Sequence, residues 1–453
     1  MNGESNRFFS VLRNMWRIPD LRNRLLFTLG IFAVYRLGAT LPAPGVDVDA
    51  LQQLADQPVG IAGLINLFSG GSLTNGAVLA LGVMPYITSS IIMQLLTTVV
   101  PRLEKLQEEG ESGRRRITQY TRYLTVAIAL LQSFVVTTLL RNGSLTGGVS
   151  VITQWSPGRA ILIATTLTAG TALIMWMGEL ITQRGVGNGM SLLIFISIVS
   201  QLPAQLNLAW QTSDPRLEFA VLAAAFVAMM VGIIYVEQAQ RRIPIQFARR
   251  VRGRRVLGGQ ATYIPLKVNN AGVVPIIFAT SVLYFPFLLA TLVPFTGRFW
   301  TSVRDFLNEF AGGSASGLGA SASVSAGART WVQILYILVL FLLILFFAYF
   351  YTEIQFNPER QAESIQRNGG FIPGIRPGSE TAGHLRHVLS RITLPGAFFL
   401  ALVAILPNII STIFDVSFAF GGISILIVVG VALETMKQIE SQLTMRNYEG
   451  FLA

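Results

Sequence analysis

The chain has 453 residues, 52% of them hydrophobic and only 13% charged, with a mean hydropathy of +0.56. Soluble domains carry about 25% charged residues, so roughly three water-soluble domains, the usual reading of this length, are excluded. Most of the chain must face lipid, as in a polytopic membrane protein. The formal charge is nevertheless +11, from 34 Lys and Arg against 23 Asp and Glu.

Cysteine is absent, which removes disulfides, thiol nucleophiles and cysteine zinc sites. Lys105, Lys267 and Lys437 are the only lysines and none follows glycine, so the phosphate-cradling GxxxxGK(S/T) loop of a P-loop ATPase is missing. His384 and His387 share a polar stretch, but two ligands fall short of a metal site, and they read as surface histidines.

At the N-terminal end, Phe8, Phe9, Val11, Leu12 and Trp16 alternate with Arg7, Arg13 and Arg17, the pattern of an amphipathic helix on a membrane surface. The apolar stretch Leu25 to Leu41 follows Arg22 and Arg24 as a secretory signal would. The sequence Leu41-Pro-Ala-Pro-Gly45 holds no A-x-A-like cleavage site, so a retained first helix is predicted. Val59 to Phe68 is apolar but about half a span long, and Ser69-Gly-Gly-Ser72 breaks it from the next stretch. Such a re-entrant segment is tolerated at membrane depth only inside protein or beside a water-filled cavity.

Nine further stretches reach spanning length: 77–100, 123–140, 160–178, 189–206, 217–236, 271–295, 331–352, 392–414 and 416–433. Crossing a hydrocarbon core of about 30 Å takes roughly 20 residues as a helix, which gives ten transmembrane helices. The stretches lack the alternation of a transmembrane barrel. Loops on the side of both termini hold 27 Lys and Arg, the opposite loops hold six, and Arg36 lies inside the first helix. The positive-inside rule therefore places both termini in the cytoplasm.

A polar outer loop at 207–216 divides an N-terminal half, 1–206, from a C-terminal half, 217–436, followed by a tail at 437–453. Five helices per half is an odd number, so the halves run in opposite directions, as in inverted repeats around a central pathway. No similarity between the halves is visible, and ten helices without internal symmetry is the other reading. Within the spans the charged residues are Arg36 and, at the outer edge of 217–236, Glu218, beside polar Gln94 and Asn408, with Asn188 just ahead of 189–206. Ion-coupled carriers place ionisable groups near the midplane, which weakens a transporter reading.

Two cytoplasmic loops are unusually long. The loop at 237–270 places Arg241, Arg242, Arg249, Arg250, Arg252, Arg254 and Arg255 within fifteen residues, punctuated by Pro244, Gly253, Gly258 and Gly259. That punctuation predicts a projecting hairpin rather than a helix. The loop reads either as a topology anchor on anionic lipid or as a docking site for nucleic acid or acidic protein. Its length, beyond what topology needs, favours docking. The loop at 353–391 contains GGFIPGIRPG from Gly369 to Gly378, a rigid turn presenting Arg376.

Six segments carry a family resemblance: LGVMPYITSSIIMQLL (81–96), RGVGNGMSLLIF (184–195), RRIPIQFARR (241–250), IPLKVNNAGVVPIIFA (264–279), FNPERQAESIQRNGGFIPGIRPG (356–378) and FGGISILIVVGVALE (420–434). In order and loop position they resemble the SecY family, the channel subunits of the bacterial protein-conducting translocon. The resemblance implies an all-α polytopic membrane protein, ten transmembrane helices in two inverted five-helix halves around an hourglass pore, with a re-entrant plug helix. It implies a passive channel rather than an enzyme, with no cofactor.

By motif position, the resemblance makes Val83, Ile87, Met190, Ile194, Ile277 and Ile427 the pore ring. Val83 and Met190 depart from the family's isoleucine but keep the ring apolar, and a dewetted apolar constriction blocks ions while yielding to a sliding polypeptide. The plug, about 59–71, would include Ile61, Leu64, Ile65, Asn66, Leu67 and Phe68. Helices two and seven would form a lateral gate with Pro85, Ser89, Gln94, Asn269 and Ser281, where Pro85 and Pro275 ease bending. The implied partners are SecE and SecG as a heterotrimer, the SecA ATPase, the ribosome with its RNA, nascent chains bearing signal sequences, and anionic lipids. Arg241 to Arg255 and Arg376 would dock SecA or the ribosome. The implied location is the bacterial cytoplasmic membrane, or a thylakoid membrane in a cyanobacterium or plastid. A solute carrier built from inverted repeats and a membrane anchor that recruits ribosomes are the competing classes. The Gly-, Ala- and Ser-rich segment 311–327 reads as a flexible outer loop.

Overall fold

The computed structural model describes residues 18–47, 69–141, 151–152, 155–212, 216–247, 250–252, 255–257, 261–292, 326–414 and 421–449. The predicted surface helix before Arg17, the plug residues Ile61, Leu64, Ile65, Asn66, Leu67 and Phe68, and the outer loop up to residue 325 lie outside them. The contacts separate two compact units, one of Met1–Ser213, Tyr284–Arg329 and Val431–Ala453, the other of Asp214–Leu283 and Thr330–Gly430.

In the first unit, helix α1 is Pro19–Thr40 and α2 is Met84–Val99. The predicted span 77–100 is therefore helical only from Met84. Residues 70–83 run in turns, with Gly76 and Gly82 at φ 56° and 58°, a region only glycine enters cheaply. Pro85 sits in the first turn of α2, where its missing N–H costs nothing. Pro101 forces Val100 to an extended conformation (φ −96°, ψ 111°) and starts α3, Pro101–Glu108, at 97° to α2.

The long helices α4 (Glu111–Arg141), α5 (Pro157–Arg184) and α6 (Gly189–Thr212) complete this unit's bundle. The sixth helix outruns its predicted end by six residues, so the loop predicted at 207–216 narrows to the few positions before Arg216. Small residues bring these backbones together. A Cβ at Gly170 would lie 2.1 Å from the carbonyl oxygen of Val78, and one at Gly189 would lie 1.8 Å from that of Gly178. Ser133 and Thr168 hydroxyls meet at 3.2 Å between α4 and α5.

The second unit begins with α7, Arg216–Gln238, and then turns to strands. β1 (Gln240–Phe247) pairs antiparallel with β4 (Ala261–Lys267), the predicted hairpin, and its tip is a second ladder of β2 (Arg250–Arg252) with β3 (Arg255–Leu257). After α8 (Val274–Leu292), α9 (Ala326–Gln355) and α10 (Pro358–Arg367), strand β5 (Gly370–Phe371) joins the far edge of β1, giving the order β4-β1-β5. Helix α11, Ser379–Phe414, begins thirteen residues before its predicted span, in polar sequence. α12 is Gly422–Glu449.

The strands form a small module on an otherwise helical chain. One sheet face packs on α10 and the start of α11 through Ile243, Ile245, Leu266, Ile365, Ile372, Leu385, Val388 and Leu389. Asn357 caps α10, its Oδ1 accepting from the N–H groups of Glu359 and Arg360 at 3.1 and 3.2 Å.

Among the described residues, five helices are long and apolar enough to cross a membrane, and the bent α2–α3 pair makes a sixth. Shorter apolar helices are Gly189–Ala204, Ala223–Gln238 and Val274–Leu283. Each of the ten stretches named from sequence contains a helix.

Candidate functional site

Val83 caps α2 and is fully buried, with Ile87 one turn on, its N–H donating to the Val83 carbonyl at 3.1 Å. Met190 and Ile194 stand one turn apart on α6 and are buried as well. Two pairs at i, i+4 thus put four apolar side chains along two helix faces of the first unit. The Met190 thioether also fills a notch on α5, where a Cβ at Gly178 would come within 2.1 Å of the sulfur. In the second unit Ile277 on α8 and Ile427 on α12 are buried. None of the six carries a polar side chain.

The C-terminal end of the predicted plug, at Ser69 and Gly70, is pinned. Tyr35 on α1 donates to the Ser69 carbonyl at 3.2 Å and lies 2.6 Å from the Ser197 hydroxyl on α6. Arg36 donates through Nη1 to the Gly70 carbonyl at 3.1 Å and to the Ser200 hydroxyl at 2.8 Å. Gly70 has φ 67°, and a Cβ there would be 3.1 Å from Ser197 Cα. The Arg36 charge, expected within the first span, is therefore met by a carbonyl and a hydroxyl, as a cation at membrane depth requires.

The predicted gate residues are tied to their own units. Ser89 is buried and donates to the Thr121 carbonyl of α4 at 2.7 Å, a seam between α2 and α4. Pro85 opens α2, and the Gln94 carbonyl accepts from Thr97 and Thr98 hydroxyls near the end of that helix. Asn269 spans the return from β4 to α8: its Nδ2 donates to Glu237 Oε1 at 2.5 Å and to the Gly272 carbonyl at 3.2 Å. Beside it, Val268 N–H donates to the Ala239 carbonyl at 3.0 Å, and Gly396 of α11 leaves no room for a Cβ against the Val268 carbonyl, 2.4 Å away. The Ser281 hydroxyl is buried with no hydrogen-bond partner among the described residues.

The arginines expected to dock partners fall on the module. Arg241 and Arg242 are exposed on β1, and Arg242 lies over the Tyr263 ring, 4.8 Å from its centroid. Arg250 and Arg252 belong to β2, and Arg255 is paired directly with Arg252. Arg249 and Arg254 lie outside the described residues. Arg376 is exposed in a frame set by Gly369, Gly374 and Gly378 at φ 71°, 83° and 108°, and its carbonyl accepts from Thr381 Oγ1 at 2.8 Å.

One charged pair was missed by sequence reasoning. Glu179 on α5 forms a bidentate pair with Arg122 on α4, both contacts 2.6 Å, and Arg122 also donates to Gln119 Oε1 at 3.0 Å. The predicted span stops at residue 178, one residue short of Glu179, whereas the helix runs on to Arg184.

The fold is that of a multi-pass helical membrane protein with a structured basic module. Residues 77–436 match the SecY family. The chain belongs to that family. It is 49% identical over 449 residues to the protein translocase subunit SecY of Streptomyces coelicolor, covering 96% of this chain and 98% of the relative. It is 48% identical over 458 residues to that of Mycobacterium tuberculosis, covering 98% and 99%.

Three solved structures share the fold. A protein-conducting channel aligns with a TM-score of 0.63 at 18% identity, covering 93% of this chain and 92% of that one. A SecY structure bearing on the plug domain, closed state and membrane seal gives 0.61 at 16% with the same coverage. Sec61 from the canine ribosome-channel complex gives 0.60 at 16%, again covering 93% and 92%. By family, the chain is a protein translocase subunit that conducts polypeptide and is not an enzyme.

Proposed function

We propose that Val83, Ile87, Met190, Ile194, Ile277 and Ile427 form the waist through which unfolded secretory polypeptides pass. Residues 59–71 form the plug, and Pro85, Ser89, Gln94, Asn269 and Ser281 belong to a gate that releases transmembrane segments to lipid. The two halves, 1–206 and 217–436, are inverted repeats of five helices. Both termini and the strand module face the cytoplasm of a bacterial cell, and the chain sits in its cytoplasmic membrane. SecE and SecG complete a heterotrimer. SecA or the translating ribosome docks on Arg241, Arg242, Arg249, Arg250, Arg252, Arg254, Arg255 and Arg376 and supplies the driving force.

The observation that carries the reading is the lopsided charge: 27 basic residues in the loops of one side, with the longest basic loop folded as an antiparallel hairpin. An apolar ring suits a substrate of any sequence, because it neither binds charge nor selects side chains.

Crosslinking of a stalled secretory chain tests it. Probes at Ile87 and Ile277 are expected to capture the chain, while one at Leu338, 53% exposed on α9, captures lipid. Capture at Leu338 but not at Ile87 and Ile277 would remove the pore assignment.

A further inference from the structure

The chain from Ser69 to the start of α2 is fastened on two sides. Against α6, the Tyr35 hydroxyl bridges the Ser69 carbonyl and the Ser197 hydroxyl, and Arg36 bridges the Gly70 carbonyl and the Ser200 hydroxyl. Against the end of α1, the Ala43 N–H donates to the Gly76 carbonyl at 2.7 Å and the Val78 N–H to the Leu41 carbonyl at 2.9 Å. Ser72 Oγ closes the turn on the Ser69 carbonyl at 2.6 Å, and Leu73, Ala77 and Leu79 are buried. Among the described residues this fastening begins at Ser69, directly after Phe68, the last of the predicted plug side chains.

We propose that Tyr35 and Arg36 are positioning residues that make Ser69 and Gly70 a fixed pivot for the plug: the residues ahead of Ser69 swing when the channel opens, while 69–83 stays in place. The inference rests on the plug reading and specifies what the plug turns on. Arginine suits the task, because its charge-assisted bonds are stronger than neutral ones. Moving 69–83 as one piece would strand the Arg36 donors at membrane depth, break two backbone bonds and uncover apolar side chains. A swing confined to the residues ahead of Ser69 breaks none of these bonds. It is the motion of least cost that the fastening allows.

The chain has no cysteine, so an introduced pair supplies its only thiols. A Cβ at position 70 would lie 3.3 Å from Ser197 Cβ, a few tenths from the roughly 3.5–4.5 Å of a disulfide, and the joint variant Gly70→Cys, Ser197→Cys can therefore lock the pivot by oxidation. The translocase purified from membranes is measured for resting ion conductance in planar bilayers and for SecA-driven transport of a secretory precursor into proteoliposomes. Arg36→Met should raise resting conductance about tenfold, because charge-assisted bonds that hold the closed population are lost. Tyr35→Phe, which removes only a hydroxyl, should raise it less, and both should transport at the parent's rate. Oxidising the cysteine pair in the Arg36→Met background should restore the parent's conductance, which a misfolded variant would not do. Without that background, the oxidised pair should transport as fast as the reduced one. Parental conductance in both single variants, no resealing, or transport blocked by oxidation would each overturn the proposal. Deletion of 60–67 separates the two ideas. If the deletion leaks while Arg36→Met and Tyr35→Phe are silent, the plug stands and the pivot falls. If the deletion leaves conductance at the parent's level, the plug reading fails and the pivot with it.

Discussion

The α4–α5–α6 bundle and the strand module follow opposite rules within one chain. In the bundle, large apolar side chains lie on both sides: Leu130, Leu131, Phe134, Ile161, Leu162 and Trp176 are exposed, Ile163, Ile174, Met177, Ile181 and Leu193 are enclosed, and glycines and hydroxyls sit where the backbones come closest. In the module, isoleucines and leucines are enclosed, and arginine, lysine, glutamine and proline cover the outside. Lipid gives apolar helices no reason to associate, so close approach and hydrogen bonds hold the bundle. Water expels apolar surface, so area holds the module.

That contrast breaks most severely at Gly189. Its Cβ would lie 1.8 Å from a backbone oxygen that no rotamer change can move, so Gly189→Val should lose more than about 4 kcal/mol, the range of exceptional substitutions. Folded protein recovered from membranes by size exclusion should fall to near nothing, and wild-type recovery would refute close approach as the bundle's glue.

Next in size is Leu385→Ala, in the module's enclosed core. It should cost about 2–5 kcal/mol, and locally: hydrogen exchange should rise in 240–247 and 261–267 and stay unchanged in 111–141. Equal loosening of both regions would show that the module has no stability of its own.

Glu179→Gln removes one charge of the Arg122 pair. The side chains are 37% and 20% exposed, so solvent screens the pair and roughly 1–2 kcal/mol is expected. Thermal unfolding in detergent should drop by a few degrees at low salt and less at high salt, and a salt-independent drop would assign the effect to packing.

Ser281→Ala is the mildest. Its hydroxyl is buried and unpartnered among the described residues, so its removal should leave stability within about 0.5 kcal/mol of the parent or above it. A clear loss would reveal a partner for this oxygen.

Hydropathy made the bundle legible, because exposed leucine on every side of a stretch is a statement about solvent. It marked each helix but misplaced ends, and the errors have physical sources. Residues 77–83 are as apolar as a helix, yet Gly76 and Gly82 take positive φ and Pro85 fixes the start of α2. Pro244 and the nearby glycines announced the hairpin. They said nothing of β5, since two residues at Gly370 and Phe371 leave no periodicity to read and their partner lies more than 120 positions away. The exposed Tyr263 was likewise hidden, because strand register and not sequence decides which face a residue joins. The ring residues drew their assignment from family resemblance alone, as an apolar residue in a pore wall and one in a helix contact are chemically identical.

A single residue, Ala239, separates α7 from β1, and the carbonyl of that residue is bonded to Val268 as the chain returns, with Asn269 fastened to Glu237 beside it. A connection of this kind has no slack. Force on β1 and β4 therefore reaches α7 and α8 through directly bonded backbone instead of being dissipated in a loose tether. Whatever grips the hairpin from outside therefore has its hand on two membrane helices.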